Sequence, residues 1–138
     1  MLYYLSLGSN LGNREQTLME AIKHIEQQTG HVLRCSSFNY SAPWGFESPN
    51  EFCNLCCAVE SFLSPLEFLT ATQSIEQALG RTAKSDNNHY SDRPIDIDII
   101  RAFDGAKEIT WNDAILTLPH PLWQSRDFVK IPLAEIFS

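Results

Sequence analysis

The chain has 138 residues, 43% of them hydrophobic and 20% charged, which suits a single folded domain over 1–138. A net charge of −7 argues against a nucleic-acid or anionic-membrane surface, since either needs a broad basic patch. A small anion such as a nucleotide is not excluded, because a local cluster of cations is enough to hold it. No apolar run is long enough to span a membrane. Met1-Leu2-Tyr3-Tyr4 has neither the basic nor the apolar region of a cleavable leader, so a cytoplasmic protein is expected.

Tyr3–Leu7 alternates aromatic and aliphatic residues and reads as a first strand. Gly8-Ser9-Asn10-Leu11-Gly12-Asn13 follows as a glycine-containing turn. Such a turn can cradle phosphate, but no Lys-Ser/Thr pair follows and a plain turn is the better reading. Asn13 caps a helix over about Arg14–Gln28, in which Leu18, Ile22 and Ile25 recur at helical spacing and Gly30 marks the stop. Val32 to Phe38 reads as a second strand, and Ser41 to Pro49 as a loop with two aromatics. Phe52–Ser61 alternates as a third strand, with Asn54 among apolar neighbours; a buried amide there must be hydrogen-bonded. Cys53 and Cys56 face opposite sides of that strand and no second pair completes a zinc site, so Cys35, Cys53, Cys56 and Cys57 read as reduced thiols, mostly in the core. Ser64-Pro65-Leu66-Glu67 starts a second helix that runs to about Leu79. Glu76 near its end opposes the helix dipole, which hints at a functional reason for a carboxylate there.

Residues 81–92 form a long polar loop, a length usually tied to function. It leads into Arg93-Pro94-Ile95-Asp96-Ile97-Asp98-Ile99-Ile100. In a strand, Ile95, Ile97 and Ile99 share one face while Asp96 and Asp98 share the other, about 6–7 Å apart along the backbone. Two like charges so placed call for a cation between them, and Mg²⁺ suits oxygen ligands of this kind. An edge strand with two solvated aspartates is the plainer alternative. Phe103-Asp104-Gly105-Ala106 reads as a hairpin turn, Leu122–Asp127 as one helical turn, and Phe128–Ile136 as a segment packed on the core. Strands interleaved with two clear helices and a hairpin imply an α+β fold with an antiparallel or mixed sheet.

In order and spacing, several pieces together resemble the 6-hydroxymethyl-7,8-dihydropterin pyrophosphokinases of folate biosynthesis, across essentially the whole chain. They are Gly8-Ser9-Asn10-Leu11-Gly12-Asn13, Pro43-Trp44-Gly45, Phe52-Cys53-Asn54, Ile75-Glu76, Gly80-Arg81, Arg93-Pro94-Ile95-Asp96-Ile97-Asp98, Pro119-His120-Pro121 and Arg126-Asp127-Phe128. The resemblance implies a ferredoxin-like fold, a mainly antiparallel sheet of about four to six strands with helices packed on its faces. It implies two Mg²⁺ ions, ATP as co-substrate, and transfer of diphosphate to the pterin hydroxymethyl group with release of AMP. Asp96 and Asp98 match metal ligands, and with Arg81 and Arg93 they form the implied catalytic set. Ser41, Ala42, Trp44, Phe52, Asn54, Asp96 and Phe128 match the pterin site. Gln73, Glu76, Arg81, Lys84, Arg93, Ile99, His120 and Arg126 match nucleotide-contacting positions. The implied partners are these small molecules, with no nucleic acid or membrane, and the implied state is a monomer. Ala83 and Ile115 stand where the family often has basic residues, and Tyr90-Ser91-Asp92 where Trp-Gly-Pro is frequent. These departures bear on ATP affinity and loop closure, and raise the alternative of a homologue that binds pterin without closing on ATP. A metal-dependent phosphohydrolase is a more distant alternative.

Overall fold

The computed structural model describes residues 1–42, 50–80 and 94–137. In chain order the elements are β1 (Leu2–Ser9), α1 (Arg14–Gln28), β2 (Gly30–Cys35), β3 (Asn39–Ser41), β4 (Phe52–Ser61), α2 (Pro65–Ala78), β5 (Asp96–Asp104), β6 (Lys107–Glu108), β7 (Trp111–Asn112), β8 (Thr117–Leu118) and α3 (Asp127–Ile136). Strands β1 to β6 form one antiparallel sheet in the order β2-β4-β1-β5-β6, with β3 pairing β4 as well; β7 and β8 form a small separate ribbon. The expected α+β, ferredoxin-like architecture is what the chain adopts.

Alternation in the strands divides the molecule into two layers. Tyr3, Leu5 and Leu7 of β1, Cys53, Leu55, Cys57 and Val59 of β4, and Ile95, Ile97 and Ile99 at β5 point to one face. There they meet Leu18, Ala21 and Ile25 of α1 and Phe68, Leu69 and Ile75 of α2. Tyr3 stacks on Phe68 with ring centroids 4.0 Å apart. On the other face Tyr4, Cys56, Ala58 and Ile100 pack against Val129, Leu133 and Ile136 of α3. Helices therefore cover both faces, but α3 packs over the half of its face that holds Tyr4, Ala58 and Ile100. The polar positions toward the Asn54 and Asp96 end of β4, β1 and β5 form the other half.

The local signals explain the element ends. The Asn13 side chain accepts from the Gln16 amide at the start of α1. Ser64 and Glu67 close a reciprocal capping box on α2, with Pro65 in its first turn. Two expectations need correction. Gly8 and Ser9 belong to β1, and the left-handed turn that ends the strand is made at Gly12, φ 68°. The stretch from Val32 to Phe38 is not one strand: β2 stops at Cys35, and β3 resumes at Asn39 on the same edge of β4. Ser36 holds the break, where its amide donates to the Cys56 carbonyl and its hydroxyl accepts from the Cys56 amide.

Candidate active site

Residues directly opposite in an antiparallel ladder point to the same face. Gly8 lies opposite Asn54 on β4 and opposite Asp96 on β5. Asn39 of β3 lies opposite Asn54 in turn, so one row crosses four strands as Asn39–Asn54–Gly8–Asp96. Two residues further along, Ser6 lies opposite Cys56 and Asp98. Asp96 and Asp98 are therefore neighbours on one face, and both are half-buried. Asn54 and Phe52 share that face, and both are buried.

The Asn54 amide is held by β3. Its Nδ2 donates to the Asn39 carbonyl at 3.2 Å and to the Ser41 hydroxyl at 2.8 Å. Its Oδ1 turns toward β1, 3.0 Å from where a Cβ on Gly8 would sit. The amide thus presents an acceptor between β4 and β5. Phe52 leans the same way, with its Cδ1 3.4 Å from that position. Ala42, the other described residue of the expected loop contact, is exposed.

Glu76 is nearly buried on α2, and its carboxylate accepts from the Ile97 amide at 2.8 Å. That bond fixes the backbone of β5 between the two aspartates. Only the placement of Glu76 against the helix dipole hinted at it in the sequence. Gln73, one turn earlier, is exposed. The Ile99 side chain lies in the helix-side core at 4% exposure, so only its backbone is left to meet a ligand.

After the cis Leu118–Pro119 bond, the His120 amide donates to the Ile100 carbonyl at 2.8 Å, which ties this segment to β5 just beyond Asp98. His120 Nδ1 accepts from the Leu122 amide, so in the neutral ring the proton sits on Nε2. Arg126 precedes α3, is 7% exposed, and lies over the Phe128 ring at 5.7 Å. Phe128 is half-buried at the start of α3, on the side of the sheet that carries Asn54 and the aspartates. Trp44, Arg81, Lys84 and Arg93, together with Ala83 and Tyr90, lie outside the described residues; Ile115 is exposed.

The cysteines take no part in this arrangement as ligands. All four are free, and burial pushes the Cys56 thiol up to about 12. Cys35 is exposed rather than in the core. Among the described residues no three His, Cys, Asp or Glu side chains group to hold a metal by themselves. Two carboxylates on one strand face remain, a donor set that suits Mg²⁺ when substrate phosphate and water complete its shell.

One row thus holds an oriented amide, a bare glycine and a carboxylate, with a second carboxylate two residues along. A family model described as 7,8-dihydro-6-hydroxymethylpterin-pyrophosphokinase matches residues 4–138. The chain belongs to this family. It is 45% identical over 135 residues to the 2-amino-4-hydroxy-6-hydroxymethyldihydropteridine pyrophosphokinase of Porphyromonas gingivalis, a match covering 98% of this chain and 90% of that protein. It is 37% identical over 134 residues to the Bacillus subtilis pyrophosphokinase of the same name, covering 96% and 76%. Among solved structures, an HPPK-DHPS crystal structure in complex with substrates superposes with a TM-score of 0.70 at 14% identity, which speaks to fold alone. The match takes in 98% of this chain and 40% of that longer one, so the pyrophosphokinase chain spans less than half of it.

Proposed function

We propose that the chain transfers the diphosphate of ATP to the hydroxymethyl oxygen of 6-hydroxymethyl-7,8-dihydropterin and releases AMP, an Mg²⁺-dependent step of folate biosynthesis. The observation that carries the reading is the row Asn54–Gly8–Asp96, with Asp98 one place along on the same face. The reading takes the Asn54 amide as the group that reads the ring and the aspartates as the cation site. Family membership at 45% identity to a pyrophosphokinase supports it, and no observation favours a homologue that only binds pterin.

The residues divide the work as follows. Asn54 Oδ1 accepts from the polar edge of the pterin, and Ser41 holds that amide in place. Phe52 and Phe128 stack on the two faces of the ring. Asp96 and Asp98 would hold the cations, which would supply neutralisation of the phosphate charge. Arg81, Lys84, Arg93 and Arg126 take phosphate oxygens, the arginines through their planar fork. Gln73, Glu76, His120 and the Ile99 backbone border the nucleotide. The alcohol oxygen forms a bond to the β-phosphorus while the bond from that phosphorus to the α,β-bridging oxygen breaks. AMP carries away the electron pair and the alcohol proton passes to water. No covalent enzyme intermediate is required, so positioning and charge neutralisation supply the acceleration. We read the working unit as a cytoplasmic monomer.

The test is to incubate the protein with ATP, Mg²⁺ and the pterin and to resolve the products. AMP and a pterin diphosphate should appear together, and neither without the pterin. Orthophosphate released without the pterin would instead mark a hydrolase.

A further inference from the structure

Gly8 is the one position in the four-strand row that carries no side chain, and it lies between the two groups assigned to substrate and cation. It is a strand residue, not the turn residue its sequence context implies. Unlike Gly12, Gly80 and Gly105, it does not adopt a positive φ. Backbone freedom therefore does not account for a glycine here, and the space above it does. A Cβ at Gly8 would stand 3.0 Å from Asn54 Oδ1 and 3.4 Å and 3.8 Å from Phe52 Cδ1 and Cε1. The Asn54 oxygen stands closer than a methyl normally tolerates, and the Phe52 ring lies in van der Waals contact beside it; both residues are assigned to the pterin site. Most core glycines replaced by alanine would push on structural atoms; this one would push on the binding atoms.

We propose that Gly8 is a positioning residue of the pterin slot. Its bare Cα lets the Phe52 ring and the Asn54 carbonyl seat against β1, and so sets the depth at which the heterocycle lies beside Asp96. The proposal rests on the pterin reading of the site. It does not involve nucleotide contacts, so its effect is confined to one substrate. A methyl at this position forces the Asn54 amide to give by a few tenths of an ångström, while the Phe52 ring stays at ordinary contact distance. The Asn54 amide has little freedom to turn away, because Asn39 and Ser41 hold its nitrogen.

Two measurements test this. In Gly8→Ala, KM for the pterin should rise by about five- to tenfold, as expected when one hydrogen bond to the ring is weakened. kcat at saturating pterin should fall by less than about tenfold, and affinity for a non-hydrolysable ATP analogue with Mg²⁺ should stay unchanged. A residue that merely supported the fold would move both substrates together. The second measurement needs no variant: in labelled wild-type protein, adding 6-hydroxymethylpterin should shift the Gly8 α-proton resonances by ring current and give cross-relaxation between them and the ligand. An unchanged pterin KM in folded Gly8→Ala overturns the proposal, as does a silent Gly8 in the titration while Asn54 and Phe52 respond. If Gly8, Asn54 and Phe52 are all silent and no AMP is formed, it is the pterin reading that has failed.

Discussion

On the proposed reading, single side chains carry most of the binding chemistry, and Asn54 shows how. Its two donated bonds orient the amide before any ligand arrives, so the acceptor is already in place. Asn54→Ala removes both bonds and the acceptor together. It should lower stability by about 2 kcal/mol, at roughly 1 kcal/mol per net hydrogen bond, and raise the pterin KM more than tenfold; a melt and a steady-state assay read the two effects. Arg101 illustrates a side chain with a purely structural role. It forks onto Glu108 at 2.9 and 2.7 Å and lies over the rings of Phe103, Trp123 and Phe137. The hydrogen bonds from Arg101 hold the Glu108 carboxyl below its ordinary value. The stabilisation is thus complete above the ordinary carboxylate range and is lost as pH falls through the depressed value. Most of it is exposed to solvent screening, so the effect is modest. Thermal midpoints recorded from neutral pH down to about pH 3 should fall less steeply for Glu108→Gln than for the wild type.

At the level of elements, the ends with a local chemical cause could be read from the sequence. Asn13 and the Ser64-Pro65 pair announced both long helices, and the alternation of Phe52–Ser61 gave β4 its bounds and its two faces. Ile95, Ile97 and Ile99 against Asp96 and Asp98 gave β5. What could not be read has tertiary causes. The break between β2 and β3 depends on Ser36 bonding Cys56, twenty residues away. The bond from Ile97 to Glu76 links a strand to a helix, and the cross-strand partners of Gly8 exist only once three strands align. The same holds for Gly30. It follows the Thr29 cap of α1, as a helix stop should, and it also opens β2, where a Cβ would overlap the Glu60 carbonyl oxygen. Gly30→Ala forces the β2–β4 backbones apart and should destabilise by about 3 kcal/mol, as overpacking against fixed atoms does. A chemical melt with an unchanged slope and a lower midpoint would report this. Ser64→Ala removes only the cap and should cost about 1 kcal/mol in the same experiment.

For the whole molecule, the proposed reading uses the division of the sheet into two faces, with the pterin and the cations on the second. Helices α1 and α2 bury one face and supply the core. Helix α3 packs on part of the other, leaving the end of β1, β4 and β5 to polar residues. In this account, stability rests on the first face and catalysis on the second, so the two should be separable by mutation. The aspartate pair offers the sharpest case, since both carboxylates are half-buried on the second face and stand outside the helix-side core. The most direct measurement is pterin-dependent AMP release as a function of Mg²⁺ for the wild type beside Asp96→Asn and Asp98→Asn, with thermal midpoints taken in parallel. Both variants should lose about a thousandfold in turnover, several kcal/mol of charge stabilisation at roughly 1.4 kcal/mol per tenfold, while still melting cooperatively as folded proteins. Wild-type turnover in either variant, at the same Mg²⁺ requirement, would contradict the account.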